Sequence, residues 1–120
     1  MTSSSRPAPP ARAYTLKFVP AALTEWRALD GSVKANLKKL LAKRLENPHV
    51  PGSELRGELR GCYKIKLRKQ GHRLVYQVED DAIVVLVLAV GKREDDDAYR
   101  AAFQRLRGLV GRKVKDNSKL

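Results

Sequence analysis

From Cys62 to Val90 the chain leaves itself one local architecture. Tyr63, Ile65 and Leu67 alternate strictly with Lys64, Lys66 and Arg68, a period of two that an extended strand turns into one apolar and one polar face. Gln70-Gly71 is a turn signal, and His72 to Val78 reads as the returning strand. Asp80-Asp81 marks a second turn. Ala82 to Val90 then runs AIVVLVLAV, apolar throughout, as expected of a central strand buried on both faces. These residues predict a three-stranded antiparallel meander.

The flanking segments must pack on that sheet. Tyr14, Leu16 and Phe18 alternate with Thr15 and Lys17, which predicts a strand over Ala13 to Val19. Pro20 suits the first turn of a helix that carries Leu23, Trp26 and Leu29 inward. Asp30-Gly31 breaks it, and Ser32 is a candidate N-cap for a second helix running to about Asn47. Val33, Leu37, Leu40, Leu41 and Leu45 fall on one side of that helix, and Pro48 ends it. The two helices are expected to form an antiparallel hairpin. Residues 48–61, with two prolines and three glycines, read as a loop. A last helix is predicted to start near Asp95–Asp97, whose acids suit a helix N-terminus, and to run through Tyr99, Phe103 and Leu106. The fold class is α+β: N-terminal strand, helical hairpin, meander and C-terminal helix, with the helices on one face of an antiparallel sheet. Residues 1–12 (MTSSSRPAPPAR) are expected to be a disordered extension, 13–107 the folded domain and 108–120 a basic flexible tail.

Charge narrows the partners. The chain of 120 residues carries 25 Lys+Arg against 13 Asp+Glu, a formal charge of +12, which argues for a polyanion such as nucleic acid. No run approaches the ~18 apolar residues of a membrane span, and the first twelve residues hold no apolar stretch of the secretory kind. The one cysteine, Cys62, has no internal disulfide partner, which suits a reducing cytosol.

The excess is clustered. Residues 31–47 hold five cations against one acid and residues 101–120 are also strongly basic; a solvated helix face and a solubilising tail account for both. The cluster in 62–73 has a direction. If Gln70-Gly71 is a two-residue hairpin loop, Lys69 pairs with His72, Arg68 with Arg73, Lys66 with Val75 and Lys64 with Gln77. Paired residues share a face, so Lys64, Lys66, Arg68 and Arg73 point the same way, a concentration of cations that an anion would relieve. No metal or cofactor is expected. His49 and His72 are the only histidines, no zinc-ligand spacing or phosphate-binding glycine loop is present, and the acids of Glu94 to Asp97 read as helix-capping residues.

These residues carry a resemblance. CYKIKLR (62–68), GHRLVYQV (71–78) and VGKRE (90–94), with Tyr99 five positions on, resemble the RelE branch of the RelE/ParE toxin superfamily, supported by ALTEWRAL (22–29) and LRG (55–57). The similarity spans Ala13 to Leu106 in order. It departs in the N-terminal extension, the basic tail and His72, where a larger aromatic is expected. The resemblance implies a microbial-RNase-like fold and the toxin of a type II toxin–antitoxin system. Such a toxin enters the ribosomal A site and cuts the bound codon through attack of the substrate's own 2′-hydroxyl, without a metal. It assigns Lys66 and Lys64 to proton abstraction and charge stabilisation, Arg73 to the transition-state phosphate, Arg93 to the leaving oxygen, Tyr99 to stacking on an mRNA base and Arg56 to substrate binding beside Arg68. Crowded cations favour a neutral lysine, which suits a base; a guanidinium, whose pKa exceeds ~12, serves as an electrostatic stabiliser. Tyr99, at helical spacing from Phe103, is also a candidate core residue.

The implied partners are a RelB-like antitoxin, acidic and partly disordered, the 70S ribosome with its mRNA, and operator DNA reached through the antitoxin complex; no membrane is involved and the expected location is the cytoplasm. Two other functions compete. A ParE-like gyrase poison shares the fold but generally lacks this cationic set, and a non-catalytic nucleic-acid-binding module would need only the charge.

Overall fold

The computed structural model describes residues 13–92 and 97–110. In chain order these form β1 (Thr15–Phe18), α1 (Pro20–Arg27), α2 (Gly31–Glu46), a 3₁₀ turn at Gly57–Leu59, β2 (Cys62–Leu67), β3 (His72–Glu79), β4 (Val84–Lys92) and α3 (Asp97–Val110). The expected extension at 1–12 and the end of the tail lie outside the described residues. The sheet order is β1-β4-β3-β2, and β4 is central with Val84 to Val90 all buried, as the apolar run required.

The meander is antiparallel as read, but β1 lies parallel to β4, with Thr15 opposite Val84 and Phe18 opposite Val87. The sheet is therefore mixed. A parallel pair needs a long crossover, and the chain from α1 through β3 supplies one.

Register identifies the two faces. Phe18 pairs with Val87, Val87 with Tyr76 and Tyr76 with Tyr63, so these four share one face. The helical hairpin covers it: Leu16 and Phe18 line a common hollow with Trp26, Leu41 and Leu45, and Arg44 of α2 donates to the Tyr76 hydroxyl at 2.8 Å. The opposite face carries Lys66 and Arg73, paired with each other, and α3 lies there, with the Arg73 guanidinium 4.7 Å from the centre of the Tyr99 ring. Helices thus cover both faces, where the sequence reading had one. The physical reason is β4, whose two apolar faces each require a cover.

Three boundaries also move. Asp30, not Ser32, caps α2: its carboxylate accepts from the Ser32 amide at 3.4 Å and the Ser32 hydroxyl at 2.8 Å. β4 starts at Val84, because Ala82 and Ile83 belong to the turn, where Ile83 adopts φ 57° and donates its amide to the Asp80 carbonyl at 3.2 Å. α3 continues through Gly108 to Val110.

Beyond Val87 the outer edge of β4 has no β1 residue opposite it. Glu25 of α1 accepts from the Val90 amide at 3.1 Å, and Arg105 of α3 donates to the Leu88 carbonyl at 2.8 Å. Arg105 and Glu25 also bind each other through two bonds of 2.9 Å. The pair satisfies a sheet edge and fastens α3 to α1. Replacing Arg105 with Ala is expected to cost about 1.5–3 kcal/mol, the range for hydrogen bonds to charged groups, read as a lower urea midpoint with increased amide exchange along α3. Protection of α3 equal to that of the wild type would contradict the tether.

At the end of the sheet away from the 68–71 turn, Asp80 gathers three elements. His49 Nε2 donates to its Oδ1 at 2.8 Å and the Tyr14 hydroxyl donates at 2.7 Å, while His49 Nδ1 accepts from Tyr63 at 2.9 Å; this network sets the tautomer. The bond from His49, then that from Tyr14, holds the Asp80 carboxyl below its ordinary range. A carboxylate with a depressed folded-state pKa stabilises the fold above its unfolded value of about 3.9, and that contribution disappears as pH falls through the folded value. Asp80→Asn should therefore have a lower urea midpoint than the wild type at pH 7, the gap closing as the pH falls below about 4. A gap of constant size would place the effect elsewhere.

Candidate active site

The hairpin register differs from the expected one by two residues. Leu67 pairs with His72, Lys66 with Arg73 and Lys64 with Val75, so the connection is a four-residue loop, Arg68 to Gly71. Gly71 supplies the positive φ of 66° that the turn demands, and its amide donates to the Arg68 carbonyl at 3.3 Å. Gln70 fixes the loop to α2, accepting from Asn36 at 2.8 Å and donating to Ser32 at 3.2 Å. A slip of two preserves the face of every side chain. Lys64, Lys66 and Arg73 still point the same way, and Lys66 sits directly opposite Arg73. Arg68 leaves the strand for the loop.

An open hollow of about 320 Å³ is lined by Arg44, Gly52, Ser53, Lys64, Lys66 and Arg68. Its lining holds four cations and no acid. Arg44 escaped the sequence reading, which treated the basic side of α2 as solvated. Its Nη1 donates to the Lys64 carbonyl at 3.1 Å and to the Tyr76 hydroxyl, and its Nη2 donates to Ser53 at 3.3 Å. The available signal was its spacing: Arg44 lies seven residues after Leu37, on the buried stripe of α2. Ser53 also pairs with β2 through its carbonyl, which accepts from the Lys64 amide at 3.0 Å, so the loop after α2 covers the outer edge of the lysine-bearing strand.

Arg73 joins this hollow to α3. It faces Lys66 across the hairpin and stacks over Tyr99. Tyr99 is half-buried and packs against the core; it also lines a second hollow of about 320 Å³ with Arg56, Glu58, Leu59, Arg100 and Phe103. Tyr99 thus packs against the core and at the same time lies beside Arg73 of the cationic array. Of the expected residues, Lys64, Lys66, Arg68 and Arg73 come together, Tyr99 and Arg56 share the adjoining hollow, and Arg93 lies outside the described residues. Such an array can hold a polyanion and stabilise charge developing on phosphorus. Burial pushes the Cys62 thiol up to about 11, so it is no nucleophile at neutral pH.

Residues 16–97 match the ParE toxin family of type II toxin–antitoxin systems. The chain is 50% identical over 94 residues to the mRNA interferase toxin RelE of Escherichia coli K12, covering 78% of this chain and 98% of that relative. This chain is a RelE-type toxin of the RelE/ParE family. The RelE fold follows it closely. A double arginine mutant of E. coli RelE in the free state is 48% identical, over 79% of this chain and 99% of that one, with a TM-score of 0.72. RelE in the intact E. coli RelBE toxin–antitoxin complex is 52% identical, over 68% of this chain and 99% of that one, with a TM-score of 0.65. Among the described residues of this RelE-type toxin, no helix is long and apolar enough to cross a membrane. Nor do any three or more His, Cys, Asp and Glu residues among them group to hold a metal ion.

Proposed function

We propose that this toxin is an endoribonuclease that cuts mRNA in the ribosomal A site by internal transesterification. The observation that carries the reading is the row Lys66–Arg73–Tyr99, in which a lysine, a guanidinium and an aromatic ring run on from a hollow whose charged lining residues are all cations. The relatives named as mRNA interferases support it over the gyrase-poison and idle-binding readings.

In this reading Lys66 takes the proton of the substrate's 2′-hydroxyl. The freed oxygen attacks the adjacent phosphorus, the bond from phosphorus to the 5′-oxygen breaks, and the products are a 2′,3′-cyclic phosphate and a 5′-hydroxyl that takes its proton from solvent. Arg73 and Lys64 balance the extra charge of the pentavalent phosphorane, Arg93 that of the leaving oxygen. Tyr99 stacks on a codon base while Arg56 and Arg68 hold flanking phosphates. The lysines and arginines supply the stabilisation a metal would otherwise give. An acidic, partly disordered RelB-like antitoxin is the complementary inhibitor for a chain of charge +12, and operator DNA is met through that complex. The site of action is the cytoplasm, where ribosomes carry mRNA.

Mapping the 5′ ends left on ribosome-bound mRNA is the test. Cuts at a fixed position within the A-site codon, bearing 5′-hydroxyls, are the expected result. Gyrase-trapped DNA breaks, or binding with neither outcome, would reject it.

A further inference from the structure

The hollow on the far side of Tyr99 has a composition that the row Lys66–Arg73–Tyr99 does not use. Phe103 lies one turn beyond Tyr99 on α3, at the i, i+4 spacing that puts both rings on one side of the helix. Across the hollow stand Leu59 and Glu58 of the 3₁₀ turn, with Arg56 and Arg100 also in its lining. Arg107 packs over the Phe103 ring at 5.6 Å from its centre, repeating one turn later the way Arg73 packs over Tyr99. Each of the two rings of α3 is thus covered by an arginine, Tyr99 by Arg73 of β3 and Phe103 by Arg107, and the first of these contacts adjoins the Lys66–Arg73 pair.

We propose that this hollow is a second base-binding subsite for single-stranded RNA, with Phe103 as its platform and Glu58 as its selector. The inference rests on the reading of the chain as an RNA-cutting toxin and adds to it a residue that discriminates between bases. An aromatic ring beside arginines is the combination that holds single strands, the ring stacking on a base while the cations follow the backbone. At about 320 Å³ the hollow lies at the lower end of the ~300–1,000 Å³ range of ligand sites. It is continuous with Tyr99, so a strand seated on Tyr99 reaches Phe103 without leaving the basic surface.

Glu58 gives the subsite a preference. An ionised carboxylate only accepts hydrogen bonds. Adenine, cytosine and guanine each offer an exocyclic amino group, whereas uracil offers carbonyl oxygens on either side of one N–H. A base with an amino group satisfies Glu58, and uracil sets its carbonyls against it. Arg56 and Arg100 take the phosphates on either side.

Two measurements on the full chain test this. The first is cleavage on programmed ribosomes, with each position near the cut varied through the four bases. The wild type should disfavour uracil at one position, and Glu58→Gln, which can both donate and accept, should flatten that preference. Phe103→Ala should raise KM roughly 5–150-fold, the equivalent of one lost base stack, with kcat little changed, and Phe103→Tyr should restore it. The second is equilibrium binding of a short fluorescent 2′-O-methyl RNA, which 2′-hydroxyl attack cannot cut. Phe103→Ala should weaken it by a similar factor at an unchanged urea midpoint. Wild-type cleavage with an unaltered KM in Phe103→Ala, or a uracil preference indifferent to Glu58→Gln, would overturn the subsite while leaving the ribonuclease reading intact. Weaker antitoxin binding with normal RNA binding would overturn it too and give the hollow to the antitoxin. No cleavage by the wild type would reject the ribonuclease reading, and the binding arm would still judge the subsite.

Discussion

Lys66→Ala is expected to slow single-turnover cleavage by about 10²–10⁴-fold, the usual loss for a general base, with the fold intact because Lys66 is exposed. Arg73→Ala should lose a similar factor by removing the charge proposed to balance the phosphorane. The two residues are paired across the hairpin, so their effects should not add. Lys66→Arg separates base from charge: a guanidinium keeps the positive charge but does not give up its proton near neutral pH. A rate close to the wild type's for Lys66→Arg would move the base elsewhere, with Lys64 the next candidate. A Lys66→Ala rate within about threefold of wild type would remove it from the chemistry altogether.

Tyr99→Ala should fail twice. The ring packs against the core and lines the hollow, so its loss removes buried surface and, on the proposed function, a stacking platform. A fully buried aromatic costs ~3–5 kcal/mol when truncated; for this half-buried ring about 1–3 kcal/mol is expected from its reduced burial. The residual folded protein should in addition lose roughly 1–3 kcal/mol of base contact and should cleave more slowly. Tyr99→Phe keeps the ring and most of both contributions. Urea titration and cleavage per folded molecule read the two effects separately. Normal specific activity in the folded fraction of Tyr99→Ala would reduce Tyr99 to a core residue.

Much of the cationic site was legible because side-chain direction in a strand depends only on parity. The register read from the two-residue loop was off by two, since Gln70 ties a longer loop to Ser32 and Asn36 of α2, an interaction between residues more than thirty positions apart. The error moved Arg68 off the strand but left Lys64, Lys66 and Arg73 on one face. Arg44 was not legible in the same way. Its role depends on where α2 crosses β2, and no local period carries that. Arg56 and Tyr99 came only from the resemblance; nothing in their immediate neighbours distinguishes an arginine before a glycine or a tyrosine in a helix.

The sequence by itself determined the elements, the burial of β4 and the common face of the lysines, because periodicity and turn chemistry act between near neighbours. The tertiary structure decided the rest. It set β1 parallel to β4, placed α3 on the face opposite the helical hairpin, brought Lys66 opposite Arg73 and laid Arg73 over Tyr99. Each of these is a choice between packings of similar local structure, made where both faces of one apolar strand had to be covered at once.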